Sequence, residues 1–353
     1  MGKMSRTLQM ERLEDRCVPA GTVTISGWGP GNINLVGDAQ ANDIDVNGSG
    51  ASSITITANG TTTLALGSIP ASWVSSSSPS QVIINLPSPL VLGQLFIDLK
   101  AGDDRVGVFG VSAAGSILIL PGDGNDKVIM GGDATQKALV IRETLGDDFV
   151  QLDNVRAHDP SLISLNLGND KLQIAGAGTV FDSDLSILMG AGSDFVRFIP
   201  GTSLIQGNLL IDTSAASGDG GDTVLVDWAV AATAPPTLQV NGNTTIRTGA
   251  GADLVRFGFG SGLGRSAVLG QTANNTTTIL MGDQNDRIFA SRCQLQLLSA
   301  KLENGDDKVL NNWGAAGVSV ASGSVLDGGA QVTADTLPSP WSAPPGLTVV
   351  GFP

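Results

Sequence analysis

The chain has 353 residues, with 33 acidic side chains against 19 Lys and Arg, so its formal net charge is −14. This balance argues against a nucleic-acid partner, because phosphate binding needs clustered positive charge. The chain has one histidine and two cysteines, which argues against a histidine-based active site, a disulfide framework and a zinc site. No apolar stretch approaches the ~20 residues of a membrane-spanning helix. The 47 glycines and the scarcity of charged residues indicate an all-β protein with many tight turns.

The first twenty residues are polar and contain the run Leu-Glu-Asp-Arg at 13–16, followed by a small apolar stretch. This segment resembles the short leader found at the start of many secreted or surface proteins of planctomycete bacteria. It lacks the apolar centre of ~7 to 15 residues that an ordinary signal peptide has. The resemblance implies that residues 1–20 are a leader or sorting segment and that the protein is extracellular or displayed at the cell surface. The alternative is a polar N-terminal arm.

Residues 21–100 contain strand-like runs at 22–25, 53–57 and 82–86, rich in β-branched residues and separated by irregular turns. We interpret this region as an N-terminal cap with irregular β rungs. The serine-rich stretch at 75–80 is predicted to be a loop.

A short motif then recurs through residues 101–337. Nine copies share a Gly- and Asp-rich turn in which an aspartate is followed two residues later by Val, Leu or Ile. We call these the anchor aspartates: Asp104, Asp126, Asp148, Asp170, Asp194, Asp222, Asp253, Asp286 and Asp307. They are separated by 22, 22, 22, 24, 28, 31, 33 and 21 residues. Degenerate copies of the motif flank these nine around Asn42 and Asp335.

The spacing and the pattern after each anchor predict the architecture. The second and fourth positions after the anchor are mainly apolar and the third is often polar, which is the alternation of a strand with one buried face. A unit of about 22 residues cannot bury such a face alone, so the units must stack. The sequence therefore predicts a single-domain, all-β parallel β-helix with about 22 residues per rung. Val128, Val150, Leu172 and Val196 are expected to form a buried ladder.

The last segment, residues 338–353, is rich in proline and contains Trp341, Leu347 and Phe352. Because the last rung of a solenoid exposes apolar surface and strand edges, we expect this tail to cover the C-terminal end as a cap. The alternative is a loose tail. Cys293 is expected to be buried rather than reactive.

The copy at 121–129, Pro-Gly-Asp-Gly-Asn-Asp-Lys-Val-Ile, resembles the RTX nonapeptide of haemolysin-type calcium-binding proteins, G-G-x-G-x-D-x-U-x. In that family, turn carbonyls and the aspartate coordinate Ca²⁺ between turns on successive rungs. The family packs two nonapeptides into each rung, whereas this chain has one, so metal sites are expected on one side only. The resemblance implies these metal ligands: Asp104, Asp123, Asp126, Asp148, Asp170, Asp194, Asp219, Asp222, Asp253, Asp283, Asp286 and Asp307.

Charge provides a separate argument for calcium. Stacking the turn aspartates at the ~4.8 Å spacing of strands brings like charges together, and a hard divalent cation with oxygen ligands would relieve their repulsion. The alternative is that each aspartate only forms hydrogen bonds within its turn, as Asp and Asn commonly do.

Two functions from different classes follow. The first is a non-catalytic, Ca²⁺-stabilised surface β-helix with a structural or adhesive role, whose partners are calcium ions and an extracellular glycan or surface protein. The second is a carbohydrate-active enzyme, since parallel β-helices also host polysaccharide lyases and glycoside hydrolases. We favour the first, with no catalytic residue, because a catalytic pair should be a local exception to the repeat. His158, in the polar stretch 156–160, is expected to be an ordinary surface histidine.

Overall fold

The computed structural model describes residues 21–176, 178–215, 218–227, 229, 231, 234–259, 265–311, 318–331 and 347–350. Within these ranges the regular structure is β, apart from one 3₁₀ helix at Ala71–Trp73. Among these residues no helix has the length and apolar character that crossing a bilayer requires. The predicted leader, the degenerate copy around residue 335 and most of the predicted tail lie outside the described residues.

The strands fall into an N-terminal group and a long repetitive group. The first group is β1 (Thr22–Trp28), β2 (Asn32–Val36), β3 (Asp43–Gly48), β4 (Ser53–Ala58), β5 (Thr63–Leu66), β6 (Val74–Ser78) and β7 (Gln81–Asn85). The repetitive group is β8 (Leu95–Asp98), β9 (Arg105–Phe109), β10 (Ser112–Ala113), β11 (Ile117–Leu120), β12 (Lys127–Gly131), β13 (Ala134–Thr135), β14 (Leu139–Arg142), β15 (Phe149–Asp153), β16 (Arg156–Ala157), β17 (Ser161–Ser164), β18 (Lys171–Ala175), β19 (Val180–Phe181), β20 (Leu185–Leu188), β21 (Phe195–Phe198), β22 (Ser203–Ile205), β23 (Leu209–Asp212), β24 (Thr223–Asp227), β25 (Leu238–Val240), β26 (Thr244–Gly249), β27 (Leu254–Phe259), β28 (Ala267–Leu269), β29 (Thr277–Met281), β30 (Arg287–Ala290), β31 (Gln294–Leu295), β32 (Leu298–Leu302), β33 (Asn304–Gly305), β34 (Lys308–Asn311), β35 (Ser319–Val320), β36 (Ser324–Asp327), β37 (Ala330–Gln331) and β38 (Leu347–Val350).

Three long sheets organise these strands, with 14, 13 and 9 strands. Each regular rung contributes one strand to each sheet, and strands of successive rungs pair in parallel. β12, for example, pairs with β9 on one side and β15 on the other, and β15 pairs with β18. The predicted parallel β-helix is confirmed. The turn that joins the 14-stranded sheet to the 13-stranded sheet carries the anchor aspartate, and we call it the anchor turn.

The core consists of ladders of apolar side chains that repeat from rung to rung. Val128 pairs with Val150, Val150 with Leu172, and Leu172 with Val196, and all four side chains are fully buried. The predicted ladder is therefore confirmed. Burying a Val or Leu side chain stabilises the folded state by about 1.5–3 kcal/mol. The alternating position, occupied by residues such as Gln151, is half-buried on the outer face of the sheet.

The N-terminal region differs because it is largely antiparallel. β2 and β3 pair in parallel with β8 and β9 and so form the first rung. β1 pairs antiparallel with β2, while β4, β7 and β6 extend the 13-stranded sheet in that order as antiparallel strands. The prediction of a loop at 75–80 is wrong for its first four residues, which lie in the edge strand β6. Their exposed serine side chains are compatible with an edge strand, because main-chain pairing with β7 holds it in place.

The anchor turns stack as closely as the strands do. Isolated parallel bridges join Ala101 to Asp123, Asp123 to Leu145, and Leu145 to Leu167. The close approach explains the glycines of the motif. Gly146 has φ +131°, and a Cβ there would lie 1.9 Å from the carbonyl oxygen of Gly124 on the preceding rung. Only glycine fits such a position without displacing backbone.

Candidate metal site

The anchor aspartates form one continuous buried column, which we call the anchor column. All nine side chains are at most 2% exposed. The backbone N–H of each anchor from Asp104 to Asp286 donates a hydrogen bond to the Oδ1 of the anchor one rung later, at 2.7–2.9 Å. Each aspartate is therefore held in place by the rung that precedes it.

Asn42 occupies the first position of this column. Its backbone N–H donates to Asp104 Oδ1 at 2.6 Å, and its side chain is 1% exposed. The degenerate copy read around Asn42 is thus a structural member of the repeat. An asparagine can clearly occupy a position in the column.

The second carboxylate oxygen of the anchors is in a different situation. Within the described residues, Oδ2 is buried and has no donor at hydrogen-bond distance in these eight anchors: Asp104, Asp126, Asp148, Asp170, Asp194, Asp222, Asp253 and Asp286. The nearby side chains of Thr213 and Thr248 lower the pKa of Asp222 and Asp253, but less than burial raises it. A buried charged oxygen without a donor is costly, so each of these groups needs a proton, a cation or another compensating partner.

Burial raises the pKa of these carboxyls, because the charged form loses its hydration, and the amide hydrogen bond to Oδ1 only partly offsets the loss. The pKa rises from 3.8 to about 6 for Asp126 and Asp253. It rises to about 7 for Asp148 and Asp194. It rises to about 8 for the remaining four, Asp104, Asp170, Asp222 and Asp286. Neighbouring anchors contribute to several of these shifts through like-charge repulsion.

The other three predicted ligands lie outside the anchor column. Asp123 and Asp283 are exposed and Asp219 is half-buried. Asp219 Oδ2 accepts the N–H of Ala250 at 2.8 Å, and Asp283 Oδ1 accepts the Asn304 side-chain amide at 2.6 Å. These three aspartates form turn hydrogen bonds, and the structure does not bring them into one cluster with the anchor oxygens.

A second ladder of side-chain acceptors runs beside the first four anchors, one residue earlier in each turn. Asp103 Oδ1 accepts the N–H of Asn125 at 2.9 Å, Asn125 accepts that of Asp147 at 2.8 Å, and Asp147 accepts that of Asn169 at 2.7 Å. This outer ladder is exposed and alternates Asp with Asn, which keeps like charges two rungs apart. It shows the turn-forming chemistry that was the alternative to metal binding.

Sequence reasoning missed one member of the site, Glu143. Its carboxylate is fully buried, and one oxygen each from Glu143, Asp126 and Asp148 lie within 4.8 Å of one another. Burial, together with the neighbouring charges of Asp148 and Asp126, raises the pKa of Glu143 well above its usual value. The sequence feature that could have identified Glu143 is its position directly before the turn, where neighbouring copies of the repeat have Leu, Pro or Met.

Two other residues singled out in the sequence have ordinary environments. His158 is half-buried, and its Nδ1 lies 2.8 Å from Asp182 Oδ2, which also pairs with Arg156. Cys293 is buried as expected, and burial raises its pKa to about 12, so its thiol is unreactive at neutral pH. Comparison with protein-family models, curated proteins and solved structures finds no match to this chain.

Proposed function

We propose that the protein is a non-catalytic, extracellular or cell-surface β-helix whose rungs are stabilised by Ca²⁺ bound along the anchor column, and that it has a structural or adhesive role. The observation that supports calcium is the series of buried anchor oxygens without hydrogen-bond donors. The surface location is supported by the leader resemblance at 13–16.

The chain itself offers a comparison for buried aspartates that only shape a turn. Asp133 is buried as deeply as the anchors, but its Oδ1 accepts the N–H of Val111 at 2.7 Å and its Oδ2 that of Gly131 at 2.8 Å. Both of its oxygens have donors. The anchors use only one oxygen in this way, so turn formation accounts for half of their bonding capacity.

The amino acids used in the two ladders support the same inference. Oδ1 of an asparagine accepts a backbone N–H as well as an aspartate does, and the outer ladder uses both residues. The anchor column uses aspartate at nine successive positions despite burial. Carboxylates one strand spacing apart, ~4.8 Å, repel by about 3 kcal/mol per pair at an effective dielectric constant of about 20. A hard divalent cation converts that repulsion into attraction.

Thermal unfolding followed by circular dichroism tests the proposal on the full chain. We expect the melting temperature to fall when Ca²⁺ is replaced by EDTA at pH 7.5. Each independent site should contribute about 2.7 kcal/mol at a hundredfold excess of Ca²⁺ over its Kd. Mg²⁺ should restore little of the loss, because it requires tight octahedral geometry and retains its waters. Identical melting curves in Ca²⁺ and EDTA would make the column a metal-free scaffold.

The carbohydrate-active enzyme has weaker support. Glycoside hydrolysis needs two carboxyl groups that flank a bound sugar. The repeated anchors are buried and cannot reach a polysaccharide, and the outer aspartates are engaged in turn hydrogen bonds from rung to rung.

A further inference from the structure

A second column of buried residues lies where each strand of the 14-stranded sheet ends and the anchor turn begins. We call it the pre-turn column. Its members in six successive rungs are Leu99, Pro121, Glu143, Leu165, Met189 and Thr213. All six are buried, and Glu143 alone among them carries a charge.

Glu143 is buried with little to compensate its charge. Its side chain is 0% exposed, and within the described residues neither Oε1 nor Oε2 has a donor at hydrogen-bond distance. The nearby backbone N–H of Gly122 lowers the pKa of Glu143, but less than burial and the charges of Asp148 and Asp126 raise it. Pro121 and Leu165, the members of its own column one rung before and one rung after, are apolar. A glutamate here is therefore a local exception to the repeat, and the pre-turn column gives no structural reason for it.

The carboxylate instead approaches two anchors on consecutive rungs. Asp126 and Asp148 each use Oδ1 to accept a backbone N–H, at 2.7 Å and 2.8 Å, which fixes both side chains. Their Oδ2 atoms and both Glu143 oxygens are buried without donors, and one oxygen from each of the three carboxylates lies within 4.8 Å of the other two. Three carboxyl groups at such separations cannot all be ionised unless a cation lies among them.

We infer that Asp126, Glu143 and Asp148 form a discrete divalent-cation site, the tightest Ca²⁺ site of the protein. The inference rests on the proposed calcium column, and it adds that one position in the column binds more strongly than the others. Carboxylate oxygens are the ligands that Ca²⁺ prefers, and affinity increases with the number of charged ligands. Among the described residues, this is the only place where three such side chains bring a ligand oxygen each to within 4.8 Å of one another.

Calcium titration calorimetry on the full chain tests this site, with Glu143→Gln and Glu143→Leu as variants. Glu143→Gln keeps the shape and removes the charge, and Glu143→Leu introduces the residue found in the same column at Leu99 and Leu165. We expect both variants to lose the tightest class of sites, with at least about a tenfold weaker Kd there, since even outer ligand-supporting groups are worth that much. The weaker sites should remain. Glu143→Leu should also melt higher than wild type in EDTA, because a buried charge has been removed.

The matched control is Glu303→Gln, which removes a half-exposed glutamate that pairs with Lys301 in another anchor turn. It should bind Ca²⁺ like wild type. If wild type binds Ca²⁺ but the Glu143 variants keep its full stoichiometry and affinity, the inference is wrong and the proposed function stands, with the three carboxyls sharing protons instead. If wild type binds no Ca²⁺, both fail. Glu143→Gln keeps the test valid should Glu143→Leu not fold.

Discussion

The N-terminal region and the regular rungs both bury one face of their strands, but they differ in where their carboxylates lie. Residues 21–92, all of which the structure describes, contain no buried carboxylate. Their aspartates at the join with the first regular rung are paired: Arg105 lies 2.8 Å from Asp43 and 2.9 Å from Asp45, and the Asn59 amide donates to both. The regular rungs instead bury an anchor aspartate each, and from Asp104 to Asp286 its Oδ2 has no donor at hydrogen-bond distance.

The difference follows from strand direction. When parallel strands stack in constant register, equivalent positions of the motif lie directly above one another in successive rungs. A buried aspartate at one motif position therefore forms a column of like charges. Antiparallel strands reverse the chain between neighbours and place different residues side by side. The regular rungs should therefore depend on pH and calcium, and the N-terminal region should not.

The largest effect should come from a charge placed in the ladder beside the anchor column. Val150→Asp puts an unpaired carboxylate between Val128 and Leu172 in a strand paired on both sides, and should cost about 3 kcal/mol or more of stability. Ser76→Asp, on the exposed edge strand β6, should change the free energy of unfolding by about 0.5 kcal/mol or less. Urea denaturation measures both. A soluble Val150→Asp variant with an unchanged midpoint would refute the assigned strand phase.

The next effect concerns pH without calcium. The pKa values of the eight anchors are raised from 3.8 to between about 6 and about 8 in the folded chain. Between pH ~4 and ~8 the folded state thus binds more protons than the unfolded state, so its stability falls as pH rises through that window. In EDTA the melting temperature should be lower at pH 8 than at pH 5. Saturating Ca²⁺ should reduce the difference, since it binds the deprotonated form.

Amide hydrogen exchange shows in which strands this loss of stability with pH occurs, once the observed rates are corrected for the intrinsic exchange rate at each pH. Amides of β12, β15 and β18 should lose more protection between pH 5 and pH 8 than amides of β4 and β7. Equal loss in the two regions, or a rise in melting temperature with pH, would contradict the comparison.

Much of this architecture was predictable because the spacing of the repeat determines the register in which successive rungs pair. The interval of 22 residues between the first four anchors, with an apolar residue two positions after each, predicts parallel stacking and a Val128–Val150–Leu172 ladder. The burial of the anchors was not predictable, since Asp in a Gly-rich turn is ordinarily exposed. Glu143 was missed because one charged residue in one copy looks like variation until the fold places it beside two anchors. β6 was missed because its pairing uses the main chain, which four serines do not reveal.

A smaller effect should separate the two ladders. Replacing Asp126, Asp194 and Asp222 together by Asn keeps the Oδ1 acceptors but removes three buried charges. The variant should respond more weakly to Ca²⁺ and be at least as stable as wild type in EDTA. The control replaces by Asn the outer-ladder residues Asp103 and Asp147 and the corresponding Asp306 of a later turn, whose N–H donates to Asn285 Oδ1 at 2.8 Å. It removes the same formal charge and should leave the calcium response near that of wild type. Calorimetric stoichiometry and melting curves compare the two triples. Equal responses would assign the effect to net charge alone.

The smallest expected effect comes from the single substitution Asn42→Asp, which extends the column of carboxylates into the N-terminal region. The Asn42 amide donates to the carbonyl of Gln40 at 2.6 Å and to Asp104 Oδ1 at 3.3 Å, and a carboxylate loses both bonds while adding a like charge beside Asp104. In EDTA we expect a loss of about 1–3 kcal/mol.

In Ca²⁺ the same variant should recover more stability than wild type does, because an added carboxylate gives the first regular rung the ligand pair that later rungs already have. Asn47→Asp, exposed on β3, adds the same charge to the same region and should show neither effect. Melting curves of the two variants in EDTA and Ca²⁺ provide the measurement. Asn42→Asp could be destabilised in EDTA and yet gain no more stability from Ca²⁺ than wild type does. A carboxylate in this column would then not be sufficient to bind the ion, and the insensitivity of the N-terminal region to pH and calcium would have another cause.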